Sequence, residues 1–203
     1  MDNNISEIKK NIRHKFLHKR KNLSSQQVIE RSDLVCLNFI NNILNNKKIL
    51  EIESSNSFIA LYLSSNNEVV TSPILDFIIK NNINCCLPRI NNFNEIEFIV
   101  YQANNQLVAN KKFKKILEPA NGKIVIPNFI ITPLVAFDIK LHRLGMGGGY
   151  FDKAIKAHKL VNSKIKTIGL AYDFQLFKPL LPLEKHDQSL DIVVCEKNIF
   201  FAN

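Results

Sequence analysis

Glycine is scarce in this chain and tryptophan is absent, since the 203 residues include six glycines and no tryptophan. No internal repeat or low-complexity segment appears. No apolar run reaches the roughly 20 residues that a helix needs to cross a bilayer. The N-terminal residues also lack the apolar segment of a signal peptide. We therefore expect no membrane association and a cytoplasmic location.

Cysteine and histidine give no sign of a metal site. The four cysteines are scattered without metal-ligand spacing. Cys85 and Cys86 lie in an apolar stretch, which indicates a buried strand. Four histidines also lack a cysteine or carboxylate partner at metal spacing, namely His14, His18, His142 and His158. We assign no function to any of these residues.

The remaining composition is typical of a folded globular protein, with 46% hydrophobic and 22% charged residues. The length fits one domain covering residues 1–203. The net charge of +9 predicts an anionic partner, and nucleotides, polyanionic cofactors and nucleic acid all qualify. Seven of the 27 cations lie between Lys9 and Lys21, and four more lie within residues 111–115. Either group could also be a solvated face.

Two helices are predicted near the N-terminus. The first has apolar residues at three- and four-residue spacing, namely Ile5, Ile8, Ile12 and Phe16. Lys9 and Arg13 lie one turn apart on a neighbouring face of it. Ser24 and Gln27 form a capping-box pattern that opens a second helix, and we expect that helix to end within residues 45–48.

Alternating strands and helices are predicted from there onward. Strand-like runs occupy residues 58–63, 85–87, 95–101, 129–137, 165–171 and 191–195. Helices are predicted over residues 73–79 and 150–160, and the lysine-rich stretch 110–123 is predicted to be a loop. This order is typical of an α/β fold, which we expect to be a single-domain three-layer sandwich with a mostly parallel central sheet and flanking helices.

Four of the six glycines fall within residues 145–149, with Arg143 before them and Asp152 after them. Glycine lets the backbone approach a ligand closely, and successive N–H groups can then converge on an anion. The segment follows a predicted strand and opens a predicted helix, which is where ligands bind in open α/β sheets. We therefore interpret it as a phosphate-binding segment.

Neither standard nucleotide motif is present. The segment has no Lys-Ser/Thr pair after its last glycine, so it is not a P-loop. Its spacing also differs from GxGxxG, because Tyr150 stands where the third glycine would be. From the glycines alone, a plain tight turn remains an alternative.

The wider segment is more specific. TPLVAFD at residues 132–138 and RLGMGGGYFD at residues 143–152 closely resemble the signature of the 5-formyltetrahydrofolate cyclo-ligases, also called methenyltetrahydrofolate synthetases. Other elements occur in the family's order, namely the N-terminal basic helix, Tyr62-Leu63 followed by Glu68, Leu87-Pro88-Arg89, Leu117-Glu118-Pro119 and residues 182–187. Three positions depart from the common pattern: Met146, Phe151 and Cys195.

The resemblance implies an enzyme that couples ATP hydrolysis to the cyclisation of 5-formyltetrahydrofolate, giving 5,10-methenyltetrahydrofolate, ADP and phosphate, with Mg²⁺ required. An N-formyl oxygen is a poor leaving group. Phosphorylation of that oxygen by ATP makes the formyl carbon electrophilic, and N10 of the folate then attacks it. Such chemistry depends on positioning and charge neutralisation.

The resemblance also implies the ATP site. It assigns catalytic roles to Arg143 and Tyr150. The residues implied in ATP binding are Lys9, Arg13, Arg143, Leu144, Gly145, Met146, Gly147, Gly148, Gly149, Tyr150 and Phe151. Without the resemblance, Lys9 and Arg13 would be interpreted as exposed helix charges.

Two carboxylates, Asp152 and Asp187, are implied as Mg²⁺ ligands. Carboxylates that are far apart in sequence can complete one octahedral site with water and phosphate oxygens. Asp152 alone could instead cap a helix or face its dipole. His186 could be a general base or could orient Asp187.

The implied folate site comprises Leu63, Glu68, Arg89, Met146, Gly147, Gly148, Gly149 and Tyr150. Glu68 could accept hydrogen bonds from the pterin's amino and ring N–H groups, although it could also be an exposed turn residue. Arg89 could form only a local salt bridge. The lysines of residues 111–115 could attract a polyglutamate tail.

The partners predicted are therefore 5-formyltetrahydrofolate, in mono- or polyglutamylated form, and ATP, with no nucleic acid and no membrane, in a monomer. Two rival interpretations remain. One is a nucleic-acid-binding module that uses the two basic segments, although no RNP motif, helix-turn-helix or zinc finger is visible. The other is a folate or nucleotide binder without catalytic activity.

Overall fold

The computed structural model describes residues 2–46 and 57–202. Its α-helices are α1 (Asp2–Lys21), α2 (Ser25–Phe39), α3 (Ser72–Lys80) and α4 (Tyr150–Val161). Its strands are β1 (Ile59–Ala60), β2 (Cys85–Ile90), β3 (Ile96–Tyr101), β4 (Leu107–Ala109), β5 (Leu117–Pro119), β6 (Ile124–Val125), β7 (Phe129–Pro133), β8 (Ala136–Phe137), β9 (Arg143–Leu144), β10 (Lys166–Leu170), β11 (Ile192–Val194) and β12 (Ile199–Phe201). Within these ranges no helix is both long and apolar enough to cross a membrane.

Eight strands form the central sheet, in the order β12-β11-β10-β7-β1-β2-β3-β6. The five central strands, from β11 to β2, are parallel to one another. The strands β12, β3 and β6 add antiparallel edges. The sheet is thus mixed and mostly parallel, and the predicted α/β fold is confirmed.

Alternating side chains of the strands pack on the two faces of the sheet. Ile59 and Cys85 point to the face covered by α2 and α3, where the largest hydrophobic cluster lies. Ala60 and Cys86 point to the other face, where they cluster with Ile155 of α4. The period of two along each strand therefore places one helical layer on each side. The four free cysteines are all buried.

The N-terminal helices follow the sequence closely. The predicted capping box is present, because Ser24 Oγ accepts from Gln27 N and the Gln27 side chain accepts from Ser24 N. Helix α2 continues into a π-helical turn at Ile40–Leu44. Residues 47 and 48, which belong to its predicted end, lie outside the described residues.

In α1, the predicted apolar stripe is only partly buried. Ile12 and Phe16 are buried, whereas Ile8 is 41% exposed. The buried side of the helix also includes Lys9 and Arg20, at 5% and 2% exposure. Lys9 is buried where its ammonium pairs with Glu184 and Asp187, and Arg20 is buried where its guanidinium faces Glu68.

The strand prediction for residues 129–137 and the loop prediction for residues 110–123 were each wrong in part. The run 129–137 is interrupted after Pro133, and its last two residues form β8, which pairs with β9 in a separate hairpin. Proline has no N–H for a ladder, which explains a break near that point. The predicted loop 110–123 contains β5, which pairs with β4. Pairing between segments cannot be predicted from a three-residue pattern.

Candidate functional site

The candidate site is a cavity of about 500 Å³ at the carboxyl ends of the parallel strands. Leu63 lies just beyond β1, Pro88 lies near the end of β2, and Pro133 ends β7. Helix α1 contributes Lys9 and Arg13 to the wall. The parallel sheet therefore provides the floor, and segments distant in sequence meet above it, as expected for an open α/β sheet.

Most of the residues predicted from the sequence line this one cavity. They are Lys9, Arg13, Leu63, Glu68, Arg143, Leu144, Gly145, Met146, Gly147, Gly148, Gly149, Tyr150, Phe151, Asp152, His186 and Asp187. The exception is Arg89. Its guanidinium pairs with Glu97 on the neighbouring strand at 2.7 Å, as in the alternative of a local salt bridge. Its role in substrate binding stays a prediction.

The glycine segment connects the β8–β9 hairpin to α4. Gly149 caps α4 with φ +66° and Gly147 has φ +101°, both in the left-handed region that favours glycine. A Cβ at Gly147 would lie 3.3 Å from Cζ of Arg13. The segment therefore needs glycine here both for its backbone conformation and for the close approach of α1.

Asp138 shapes the turn before this segment. One carboxylate oxygen accepts from the backbone N–H groups of Lys140 and His142. The other accepts from Leu181 N and contacts Nδ1 of His142 at 2.8 Å. This buried carboxylate holds the β8–β9 hairpin in place. Its contacts give a structural reason for an aspartate at the end of the TPLVAFD segment.

Helix α1 contributes two cations that lie one helical turn apart. Arg13 Nε donates to the backbone oxygen of Gly145 over 2.9 Å, which ties the helix to the glycine segment. Burial lowers the pKa of Arg13, while the nearby carboxylates of Glu184 and Asp187 raise it. Lys9 Nζ lies 2.7 Å from Oε2 of Glu184 and also bonds Oδ2 of Asp187. The side chain of Lys9 is 7% exposed, so both carboxylates neutralise a nearly buried ammonium.

Arg143 and Asp152 form the second ion pair of the site. Arg143 Nη2 donates to Asp152 Oδ1 over 2.7 Å, and the guanidinium lies over the ring of Phe151 at 6.0 Å. Nε of Arg143 is buried and has no hydrogen-bond partner in the described part of the chain. Asp152 Oδ1 also accepts from the backbone N–H of Gln188 at 3.3 Å. This contact brings Asp152 next to the segment that carries Asp187.

The acidic side of the cavity has hard oxygen donors suited to Mg²⁺. Ligand atoms of Glu184, His186 and Asp187 lie within 4.8 Å of one another. Asp152 lines the same cavity. Carboxylate oxygens are the preferred protein ligands of Mg²⁺, so the donor set fits the ion that the sequence predicts. Glu184 was not predicted, and nothing in its local sequence distinguishes it from a surface acid.

On the opposite side, Glu68 is buried at 8% exposure. Its Oε2 accepts from Ser65 N at 2.9 Å and from Ser65 Oγ at 3.3 Å, and its Oε1 lies 3.8 Å from Nη2 of Arg20. Burial raises the pKa of Glu68, whereas Arg20 and Ser65 lower it. The alternative of an exposed turn residue is therefore wrong.

Tyr150 and the lysine-rich loop border the cavity at the start of α4. The Tyr150 ring packs edge-on against Phe113 at 5.7 Å. Lys112 Nζ lies 3.2 Å from the Tyr150 hydroxyl and 3.2 Å from Asn94 Oδ1. One lysine of the run 111–115 thus lies beside the cavity.

One further wall residue, Glu118, belongs to the Leu117-Glu118-Pro119 element that the sequence analysis noted without assigning a role. It is 8% exposed and lines the cavity. The signal that could have found it is an acidic residue between leucine and proline, in a segment where every other charge is a lysine.

Comparison with known proteins gives one consistent family. The model of the 5-formyltetrahydrofolate cyclo-ligase family matches residues 5–196. The 5-formyltetrahydrofolate cyclo-ligase of Escherichia coli (strain K12) is 33% identical over 149 residues, covering 70% of this chain and 79% of that protein. The protein of the same name from Haemophilus influenzae is 35% identical over 144 residues, covering 67% of this chain and 74% of its own length.

Two solved structures of similar fold align with this chain. The NMR structure of Aquifex aeolicus 5,10-methenyltetrahydrofolate synthetase aligns with a TM-score of 0.77 at 31% identity, covering 96% of this chain and 92% of that one. A 5,10-methenyltetrahydrofolate synthetase from Mycoplasma pneumoniae aligns with a TM-score of 0.70 at 22% identity, covering 93% and 99%. The second likeness supports the fold alone.

Proposed function

The chain belongs to the 5-formyltetrahydrofolate cyclo-ligase family, and on that premise we propose that ATP and Mg²⁺ drive its cyclisation of 5-formyltetrahydrofolate to 5,10-methenyltetrahydrofolate. The observation that carries this proposal is the single cavity in which cations, a glycine segment and paired carboxylates meet. ATP phosphorylates the formyl oxygen in this proposal, and ADP leaves. N10 then attacks the activated carbon, inorganic phosphate departs, and N10 loses its proton.

The chain's task in such a reaction is to position three reacting groups and to neutralise phosphate charge. Lys9, Arg13 and Arg143 supply the cations. The backbone N–H groups of residues 145–149 cradle the phosphates beside the N-terminus of α4, which also favours negative charge. Leu144, Met146 and Phe151 provide the remaining contacts with the nucleotide.

Asp152 and Asp187 would hold Mg²⁺, with Glu184 beside them. The ion supplies charge neutralisation at the phosphate oxygens when it is bound. Both aspartates are paired with cations in this structure, Asp152 with Arg143 and Asp187 with Lys9. The same carboxylates can therefore exchange a protein cation for a metal ion without becoming unpaired.

Folate would occupy the part of the cavity bounded by Leu63, Glu68 and Tyr150. The Leu63 side chain offers an apolar surface to the pterin, and Glu68 offers a carboxylate acceptor for its ring N–H groups. Tyr150 directly follows the glycine segment and lines the same cavity. It can therefore contact the substrate close to the formyl group that is to be phosphorylated.

The basic helix gives the nucleic-acid alternative less support than its sequence suggests. Lys9 and Arg20 are buried and Arg13 is engaged with Gly145, so three of its seven cations do not belong to an exposed basic face. We propose instead a single-domain, monomeric, cytoplasmic enzyme whose partners are the folate, with or without a polyglutamate tail, and ATP.

The test mixes purified protein with 5-formyltetrahydrofolate, Mg²⁺ and ATP and follows the absorbance of the methenyl product. Product is expected only when all three are present. Product that forms equally without ATP would contradict the ATP part of the proposal. Absence of product with folded protein and all components would contradict the proposed function as a whole.

A further inference from the structure

The wall of the cavity contains a buried carboxylate that the proposed reaction does not use. Glu118 lies in β5, next to the end of β2, and is 8% exposed. No described residue forms an ion pair with it, in contrast to Glu68, Glu184, Asp152 and Asp187. Buried carboxylates are costly unless donors satisfy them.

One oxygen of Glu118 is fully engaged by the protein. Oε2 accepts from Ile90 N at 3.1 Å and from Asn110 Nδ2 at 2.8 Å. The Asn110 carbonyl oxygen accepts from the backbone N–H groups of Lys112 and Phe113 at 2.9 and 2.8 Å. Those two bonds fix the orientation of the Asn110 amide, because only its NH₂ can then face Glu118. The carboxylate is therefore held in one position.

The other oxygen is available to a ligand. Within residues 2–46 and 57–202, nothing donates a hydrogen bond to Oε1, and this atom is not among the fully enclosed polar atoms that lack a partner. Since Glu118 lines the cavity, the accessible oxygen faces that cavity. The lining of the same cavity also includes apolar side chains, namely Pro88, Ile90, Ile96, Phe113 and Ile116.

Glu68, the carboxylate predicted to bind the pterin, differs in this respect. Its Oε2 already accepts two bonds from Ser65, and its Oε1 faces the guanidinium of Arg20 at 3.8 Å. Glu68 is thus stabilised by the protein at both oxygens. Of these two carboxylates, Glu118 is the one with an oxygen that no described protein group satisfies.

The chemistry of the folate decides which part of it suits Glu118. The glutamate tail carries carboxylates, which a second carboxylate repels. The pterin is flat, largely apolar on its faces, and carries an amino group at position 2 that donates N–H bonds. We propose that Oε1 of Glu118 accepts a hydrogen bond from the 2-amino group of the pterin, with the neighbouring apolar residues contacting the ring. This inference rests on the proposed function.

The first test is Glu118→Gln, measured as the Kd for 5-formyltetrahydrofolate without ATP. The glutamine carbonyl keeps the bonds from Ile90 and Asn110, so the fold is retained, but its NH₂ then faces the pterin's amino group. We expect the Kd to rise roughly 10- to 100-fold, as for a hydrogen bond to a charged group that is lost. Glu95→Gln, at an exposed glutamate, is the matched control and should bind like wild type. An unchanged Kd for Glu118→Gln would overturn the inference.

The second test removes the donor from the ligand. The probe is 5-formyltetrahydrofolate in which a methyl group replaces the 2-amino group. Wild type and Glu68→Gln should each bind this analogue roughly 10- to 100-fold more weakly than the natural compound, whereas Glu118→Gln should bind the two with similar affinity. If wild type does not discriminate, or if the discrimination is lost in Glu68→Gln rather than in Glu118→Gln, the assignment is wrong.

Binding and turnover separate this inference from the proposed function. If wild type binds the folate with the expected discrimination but gives no product with ATP and Mg²⁺, the proposed function fails and the role of Glu118 stands. If wild type gives product but does not discriminate against the analogue, only the role of Glu118 fails. Folded wild type that does not bind the folate contradicts both. Even if Glu118→Gln does not fold, wild type that fails to discriminate, or Glu68→Gln that loses the discrimination, overturns the assignment.

Discussion

Arg143 and Asp152 are joined by a 2.7 Å ion pair that connects the two ends of the glycine segment. The pair therefore joins Arg143, the cation expected to bind phosphate, to Asp152, the carboxylate expected to bind Mg²⁺. A phosphate alone would compete with Asp152 for Arg143, and a metal ion alone would compete with Arg143 for Asp152. A nucleotide bound together with its metal ion supplies a new partner to each. On the proposed function, we therefore expect the Mg²⁺–nucleotide complex to bind more tightly than either component alone.

Asp152→Asn is expected to weaken the response to Mg²⁺. The amide keeps the shape of the side chain but loses the charge that attracts the ion. We expect the Mg²⁺ concentration for half-maximal activity to rise roughly tenfold or more, with a smaller change in the KM for the folate. The measurement is initial rate against Mg²⁺ concentration at saturating substrates.

Asp33→Asn is the control for that measurement, because Asp33 is exposed on α2. It should show the Mg²⁺ dependence of wild type. Normal turnover of Asp152→Asn at limiting Mg²⁺ would contradict the assignment of Asp152 as a metal ligand.

Lys9→Gln is expected to destabilise the protein without metal, because Glu184 and Asp187 lose the ammonium that neutralises them. We expect a loss of roughly 1.5 to 3 kcal/mol in the free energy of unfolding. Lys10→Gln, one residue away at a side chain that is 74% exposed, should change it by less than about 0.5 kcal/mol. Urea unfolding of both variants measures the difference.

Mg²⁺ provides a second readout for Lys9→Gln. The ion can neutralise the two carboxylates that the variant leaves unpaired, so it should raise the Tm of Lys9→Gln more than that of wild type. Equal stability of Lys9→Gln and Lys10→Gln would show that the buried ion pairs contribute nothing.

Gly147→Ala is expected to impair nucleotide binding. The position has φ +101°, and an added Cβ would lie 3.3 Å from Cζ of Arg13, so Arg13 has to move. Gly149→Ala shares the left-handed backbone, at φ +66°, but its Cβ meets no atom within 4 Å. We expect a KM for ATP several-fold higher in Gly147→Ala than in Gly149→Ala. Equal effects would mean that the close contact with Arg13 does not matter.

Glu68 is expected to make stability depend on pH in a defined direction. Burial raises its pKa in the folded protein above the ordinary value of 4.5, despite the opposing effects of Arg20 and Ser65. The folded state therefore holds this proton more tightly than the unfolded state does. The contribution to stability is complete below 4.5 and is lost as pH rises through the raised value.

The measurement compares wild type with Glu68→Gln by urea unfolding between about pH 4 and about pH 8. The free energy of unfolding of wild type minus that of the variant should fall as the pH rises. The same difference taken with Glu95→Gln should show no such trend. If the free energy of unfolding of wild type minus that of Glu68→Gln increased with pH, this would contradict a raised pKa of Glu68.

Local patterns in the sequence predicted the parts of the fold that depend on local chemistry. The Ser24–Gln27 capping box, the proline in the first turn of α3 and the central strands all reflect propensity or periodicity within a few residues. The β4–β5 and β8–β9 hairpins were not predicted, because short strands are defined by their pairing partners. The break after Pro133 separates a hairpin from what looks like one continuous strand.

The site was predicted where its residues form a signature and missed where they act only through tertiary contacts. The glycine segment with Arg143 and Asp152 is visible as a pattern. Glu184 lies near Asp187 in sequence, but its importance is apparent only from its ion pair with Lys9, which is 175 residues away. Arg20 looks like one more cation of a basic helix, yet it is buried against Glu68. No local pattern distinguishes such a residue from a solvated lysine or arginine.

If ATP phosphorylates the formyl oxygen, that oxygen leaves with the phosphate, and an isotope label can follow it. 5-Formyltetrahydrofolate labelled with ¹⁸O in the formyl group is converted with ATP and Mg²⁺, and the inorganic phosphate released is analysed by mass spectrometry. One ¹⁸O atom is expected in each phosphate, because the formyl oxygen leaves as part of it. Phosphate without label, alongside full conversion to the methenyl product, would rule out phosphorylation of the formyl oxygen.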